Sequence, residues 1–189
     1  MKAVIIDGNM NPSPMTGAVV HCLEPLLVSG GYQVSTITLR EMSVQACTMC
    51  QQCSITGQWN CTHGDEWPLI AQGAKSADLL LLLSPISFGG HCSLMKSFLD
   101  RLLFNLSPNY MRHQTAAAPG RSSHSIARIC TIGMLSGADP EQETTFTELC
   151  RRNGLSFGCL RCSSIVLSNQ PPQRTMLKQM KQLLEGVLG

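Results

Sequence analysis

Residues 79–101 read LLLLLSPISFGGHCSLMKSFLDR, and the reading of that stretch decides the fold. Five consecutive leucines, at positions 79–83, leave no polar face. A strand has this pattern when helices cover both sides of a parallel sheet. Ser84 and Pro85 are expected to end the strand, and Gly89 and Gly90 to loosen the turn after it. Beyond the glycines the apolar spacing becomes helical. Leu94, Met95, Phe98, Leu99, Leu102 and Leu103 form one stripe, with Lys96, Ser97, Asp100 and Arg101 opposite. The stretch is therefore a buried strand, a Gly-containing loop and an amphipathic helix. In open α/β sheets such a loop lies at the carboxyl edge of the strands, where ligands bind.

The same unit recurs at the N-terminus. A strand over 2–7 leads into a loop rich in Asn and Pro, then a helix with Thr16 as N-cap. Ala18, Val19, Cys22, Leu23, Leu26 and Leu27 stripe that helix, Pro25 is expected to kink it, and Gly30 with Gly31 ends it. Further strands are predicted over 32–39, 78–83, 126–134 and 159–167. Helices are predicted over 67–75, from the Gly90 turn to about 104, from an Asp139 N-cap with Pro140 and Gln142 to a stop at Asn153 and Gly154, and over a last stripe that includes Met176, Met180, Leu184 and Leu188. The order βαβαβαβαβα predicts a single α/β domain over 1–189, a five-stranded parallel sheet between two helical layers. Two excursions leave it: a cysteine-rich insertion at 45–64 and a long polar loop at 105–125. A loop of that length is a lid, a binding loop or an interface element.

Composition narrows the classes of function. A chain of 189 residues with 43% hydrophobic and 14% charged residues has enough apolar material for one proper core. The net charge of +2 with no basic block argues against nucleic acid. No apolar run is long enough to span a membrane, and the first one is too short for a signal peptide, so a cytoplasmic location is expected. Nothing has the form of a Ser/His/Asp triad or a paired-carboxylate site.

Ser84-Pro85-Ile86-Ser87-Phe88-Gly89, followed by Leu94, Lys96, Phe98, Asp100 and Arg101, resembles the SP-x-Y-F/W-G…K-x-F-x-DR segment of the flavodoxin-like NAD(P)H-dependent FMN reductases. Ser87 stands where that family has Tyr. The resemblance implies a flavodoxin-like three-layer sandwich with strand order 2-1-3-4-5. It also implies that Pro85, Ile86, Ser87, Phe88 and Gly89 hold the isoalloxazine ring of FMN. The first loop, Gly8-Asn9-Met10-Asn11-Pro12-Ser13-Pro14-Met15-Thr16, keeps the length of the family's phosphate loop G-S-P-R-x-x-G-N-T/S. Thr16 matches the phosphate-binding hydroxyl, and Asn9, Asn11, Ser13 and Met15 complete the implied set. The two prolines remove two amide donors. NAD(P)H or a ferredoxin would supply electrons, and the relatives' habit implies a homo-oligomer, dimer or tetramer.

Ten cysteines are many for a chain with no export signal, and a disulfide framework is not expected. Cys47, Cys50, Cys53 and Cys61 form the run C-x2-C-x2-C-x7-C. Converging thiolates are the soft ligands that iron and zinc prefer, and the spacing resembles compact ferredoxin motifs. Within the reductase superfamily this run resembles that of the iron-sulfur flavoproteins, which implies a [4Fe-4S] cluster on these four residues. Two other readings stand beside it: a structural zinc on the same set, with His63 able to replace one member, and a cysteine-containing cap that holds no metal. Cys22, Cys130, Cys150, Cys159 and Cys162 read as core or edge thiols. Cys92 and His91 sit at a helix start, and His113 and His124 lie in the long loop.

The functional expectation is an FMN-dependent redox protein, with a metal-free FMN or quinone reductase and a non-catalytic redox sensor as the competing classes. The short first loop suits a terminal monophosphate and no adenosine-binding segment follows it. The released cofactor is therefore predicted to run as FMN, not FAD, on chromatography.

Overall fold

The structure, a computed structural model, describes residues 1–50, 52–53, 61, 63–106 and 126–188. The elements are β1 (Lys2–Asp7), α1 (Pro14–Ser29), β2 (Gln33–Thr38), a 3₁₀ turn (Leu39–Glu41), α2 (Trp67–Lys75), β3 (Leu79–Ser87), β4 (Gly90–His91), α3 (Ser93–Leu106), β5 (Arg128–Leu135), α4 (Pro140–Ser156), β6 (Arg161–Ser168) and α5 (Gln173–Leu188). Five strands are parallel in the order β2-β1-β3-β5-β6, and the two-residue β4 pairs antiparallel with β3. This is the expected order 2-1-3-4-5 once β4 is set aside. Asn105 and Leu106 belong to α3; the rest of the 105–125 loop, with His113 and His124, lies outside the described residues.

The five leucines occupy the middle of the sheet, and each is at most 2% exposed. Because side chains alternate along a strand, Leu79, Leu81 and Leu83 join Ala3, Ile5, Cys130 and Ile132 on one face. There they meet Val19, Leu23 and Leu27 of α1 and Met176, Met180 and Leu183 of α5. Leu80 and Leu82 join Val4, Ile6 and Ile129 on the other face, against Trp67 and Ile70 of α2 and Met95, Phe98 and Leu102 of α3.

Three boundaries differ from expectation, each for a local reason. The first helix starts at Pro14, not after Thr16. Ser13 is the N-cap, its hydroxyl accepting from the Thr16 amide, and Pro14 takes a first-turn position where a missing N–H costs nothing. The helix then continues through Pro25 to Ser29. β3 does not stop at Ser84 but runs to Ser87, with Ser84 and Pro85 paired to Gly133 and Met134 of β5. The Leu83 carbonyl points toward β1, where it accepts from the Gly8 amide at 2.9 Å. Pro85, of the same parity, turns its missing N–H to that side, beyond the last paired residue of β1. α4 passes through Gly154 and ends at Ser156. Its terminator is Gly158 at φ +63°, with Gly158 N–H bonding Leu155 and Cys159 N–H bonding Gly154 in a Schellman arrangement. Gly154 serves instead for close packing: a Cβ there would lie 2.7 Å from the Cys162 sulfur.

Gly133 of β5 has no room for a side chain. A Cβ there would meet Ile86 Cδ1 and a Phe146 ring carbon at 2.6 Å each. Gly133→Ala is expected to cost about 1–3 kcal/mol by overpacking, seen as a lower urea midpoint with an unchanged m-value.

Candidate functional site

At the carboxyl edge the first loop begins where β1 ends. Asp7 is buried and its carboxylate takes three contacts: the Asn9 amide at 2.9 Å, Asn9 Nδ2 at 2.5 Å and the Arg40 guanidinium at 2.6 Å. Asn9 is thereby turned inward, whereas Met10, Asn11 and Pro12 are exposed. Ser13 caps α1, and Met15 packs on the α1/α5 side of the core. Thr16 is buried with its hydroxyl directed at Met134 Sδ, 3.5 Å away. Met134 is also the β5 partner of Pro85. The predicted phosphate hydroxyl and the predicted ring segment thus meet at one residue.

Ser87 pairs with Gly90 across a two-residue hairpin. The turn residues Phe88 and Gly89 have φ of 51° and 72°, the signs of a type I′ turn. Gly suits that geometry; Phe does not, since a left-handed bulky residue is strained. Phe88 is moreover fully exposed. A strained, solvent-facing ring at the carboxyl edge makes Phe88 a candidate for ligand contact. The turn is held from α4, where Gln142 Oε1 accepts from the Gly89 amide at 3.1 Å, while Gln142 Nε2 donates to the N-cap Asp139. Ile86 is half-buried and Ser87 exposed.

The two loops are stitched together beneath this surface. Cys92 donates its thiol to the Gly8 carbonyl at 2.9 Å, and the Cys92 amide donates to Ser84 Oγ at 3.3 Å. Gly8 has no room for a side chain, since a Cβ would lie 2.9 Å from Met95 Cβ. Cys92 is therefore a structural rivet between the loops. Its neighbour His91 accepts from Asn153 Nδ2 at 3.3 Å and lies edge-on to Phe146. Burial, helped by the charge of Lys96, pushes His91 down to about 4, so it is neutral at ordinary pH.

The cysteine segment leaves and rejoins the domain through a closed stem. The Ser43 N–H donates to Glu66 Oε2, and the Ser43 carbonyl accepts from the Glu66 N–H; Gln45 N–H donates to Asp65 Oδ2 at 2.9 Å. Beyond the stem Cys47, Cys50, Cys53 and Cys61 line one small cavity with Met49, His63, Arg101 and Phe104. Met49 is left-handed, φ 55°, and its amide donates to Cys47 Sγ at 3.4 Å. Such turns aim amides at anionic sulfur. Thiol sulfur is the donor type that a cluster's ligands require. Among the described residues no group of three or more His, Cys, Asp or Glu is arranged to hold a metal ion. The other cysteines behave as structural thiols: burial pushes Cys130 and Cys150 up to about 12 and Cys159 to about 11.

Sequence reasoning passed over one centre here. In K-x-F-x-DR, Lys96 and Asp100 form an exposed ion pair and Phe98 is core, but Arg101 is fully buried. It grips Asp65, itself buried, with both terminal nitrogens, donates to the Gln45 carbonyl at 3.3 Å and lies 4.6 Å from the Trp67 ring centre. The signal was the Arg itself, on the polar side of a helix stripe with no visible partner. Its carboxylate lies 36 residues upstream, so spacing could not reveal it.

Burial raises Asp65, but the hydrogen bonds from Arg101 and from the Gln45 and Trp67 amides outweigh it and hold the carboxyl at about 2, against an ordinary 3.8. A carboxyl depressed on folding stabilises the fold above its unfolded pKa and loses that contribution as pH falls through the folded one. Stability is therefore expected to drop by on the order of 2 kcal/mol between about pH 5 and pH 2 from this group. Asp65→Asn should flatten that part of the profile while lowering stability by about 3–5 kcal/mol at neutral pH, since Arg101 is left buried without its carboxylate. Urea titrations across that range check both.

Residues 1–131 match the family model described as NADPH-dependent FMN reductase. An iron-sulfur flavoprotein of Methanocaldococcus jannaschii is 29% identical over 101 residues, 53% of this chain and 51% of its own length. An iron-sulfur flavoprotein of Archaeoglobus fulgidus is 29% identical over 107 residues, 54% of this chain and 46% of its own. The chain thus spans about half the length of the curated relatives it matches. Among solved structures, the NAD(P)H:quinone oxidoreductase from Methanothermobacter marburgensis superposes with a TM-score of 0.71 at 13% identity, covering 96% of this chain and 93% of that one. That likeness is one of fold, the flavodoxin-like sandwich. No described helix is long and apolar enough to cross a membrane. With a family model matched over more than half its length, the chain belongs to the NADPH-dependent FMN reductase family.

Proposed function

We propose that the chain is a flavin-dependent oxidoreductase that binds FMN at the carboxyl edge, accepts electrons from NAD(P)H and carries a [4Fe-4S] cluster on Cys47, Cys50, Cys53 and Cys61. The observation that carries the flavin reading is the meeting of the Gly8 loop and the strained Phe88 hairpin at one edge, joined through Cys92 and Met134. In this reading Asn11, Ser13 and Thr16 lie toward the phosphate, with Asn9 and Met15 shaping the loop. Pro85, Ile86, Ser87, Phe88 and Gly89 border the ring. FMN would supply the two-electron and one-electron chemistry, and the protein its position and electrostatics. Hydride or single-electron transfer requires no protein acid or base, which accords with a site that presents backbone, hydroxyls and an aromatic ring.

The cluster reading rests on the four thiols lining one cavity and on the N–H···S bond at Cys47. A cluster there would let the protein split a hydride equivalent into single electrons. A homo-oligomer fits this reading, since Phe88 stands fully exposed beside the flavin edge.

Anaerobic purification followed by iron, sulfide and flavin analysis tests the whole. Ser at Cys47, Cys50, Cys53 or Cys61 is expected to lower iron content while FMN stays bound. Ser at Cys92, Cys159 or Cys162 should leave iron unchanged. Thr16→Val should weaken FMN binding by about tenfold, the loss of one hydrogen bond to a charged group. Flavin without iron in every sample would return the chain to a metal-free reductase.

A further inference from the structure

The function as proposed leaves Arg101 without a task, although it is one of the largest fully buried side chains among the described residues. A buried ion pair is weak evidence for stability, because desolvation offsets most of the attraction. Its retention calls for another reason, and its surroundings supply one. The Asp65 partner of Arg101 accepts from the Gln45 amide, and Arg101 itself donates to the Gln45 carbonyl, so both backbone polar groups of a residue two positions before the first cysteine are fixed to one pair. Arg101 lines the four-cysteine cavity and Asp65 does not. The cationic member of the pair is therefore the one that borders the cysteines. Arg101 also sits on α3, the helix that begins at the Cys92 rivet of the flavin edge. From Ser93 to Arg101 is eight residues, roughly 12 Å of rigid helix at 1.5 Å each.

We infer that Arg101 is a positioning residue for the cysteine site. With Asp65 it clamps the stem of the cysteine segment to the helix that leaves the flavin edge, and it presents fixed positive charge to the thiols. The charge half of this inference rests on the iron-sulfur reading; the clamp half does not. Four thiolates around iron are anionic, and a fixed cation at their edge favours the more reduced cluster. Lys cannot replace Arg in the clamp, because it lacks the planar fork that grips both carboxylate oxygens.

The test uses Arg101→Lys and the double variant Asp65→Asn/Arg101→Gln, which removes both charges and so leaves neither ion unpaired. In full-length, metal-free protein, iodoacetamide labelling of Cys47 and Cys61 is followed by mass spectrometry, with buried Cys22 and Cys130 as internal controls. Labelling at Cys47 and Cys61 is expected to rise at least tenfold in both variants while the controls and FMN content hold. If the double variant does not fold, Arg101→Lys alone provides the comparison. Unchanged labelling overturns the clamp. In reconstituted protein, a redox titration followed by electron paramagnetic resonance should give a more negative cluster potential in the double variant than in Arg101→Lys. Equal potentials overturn the charge assignment. If the unaltered protein takes up no cluster under strict anaerobiosis, the charge half falls with the iron-sulfur reading, while the labelling still decides the clamp.

Discussion

The fold depends on burying β3 on both faces. Five leucines with no polar alternative can satisfy neither a solvent-facing strand nor an edge, so helices must lie above and below them. Once β3 is central, right-handed crossovers dictate where the remaining strands go. β1 and β5 flank it, and the carboxyl ends of all three open on the same side. The Gly8 loop, the Phe88 hairpin and the β5 terminus at Met134 are thereby brought together without any one of them specifying the others. The ligand edge follows from the packing of apolar side chains some distance beneath it.

That edge is built at measurable local cost. Phe88 holds a left-handed backbone that Gly or Asn would adopt more readily, and it is exposed, so no core packing repays the strain within this chain. Gly8, Gly89 and Gly133 are each placed where a Cβ would strike a neighbour. The close approach lets Met95, Thr145 and Phe146 pack right up to the backbone of the ligand-facing segments. The carboxylate of Asp7 adds a different constraint, since it draws Asn9 inward and leaves Asn11, Ser13 and Thr16 as the loop's remaining polar side chains.

The cysteine segment obeys other rules. Of its described residues Cys61 packs against the core, and polar contacts hold the stem. Asp65 and Arg101 dominate there, and their low-dielectric setting makes the contacts directional and unforgiving. α3 links the two regions, with the proposed flavin edge at its start and Arg101 and Phe104 toward its far end. A rigid element between two sites keeps their separation constant, which electron transfer between them would require.

Strand 79–83, the helical stripes and the Asp139 and Pro140 cap were legible in the sequence because they depend on near neighbours: alternation, period and capping act within a few residues. The alternation of elements predicted a parallel sheet between helices, and the family resemblance implied the strand order that the sheet has. The end of β3 and the role of Gly154 were misread for a common reason. Pro85 and Gly154 break structure by local propensity, yet one turns its missing donor into an empty slot beyond β1 and the other makes room for Cys162. Thr16 gave way to Ser13 because the Ser-Pro pair outranks a lone Thr as a helix start. The convergence of Thr16 and Pro85 on Met134, the Cys92 rivet and the Arg101–Asp65 grip could not be read at all. Each joins residues far apart in the chain, and only the folded arrangement of strands decides which distant side chains share a low-dielectric space. The sequence by itself determined the layers and the candidate ligands; tertiary structure decided which polar groups were already engaged and which remained to meet a cofactor.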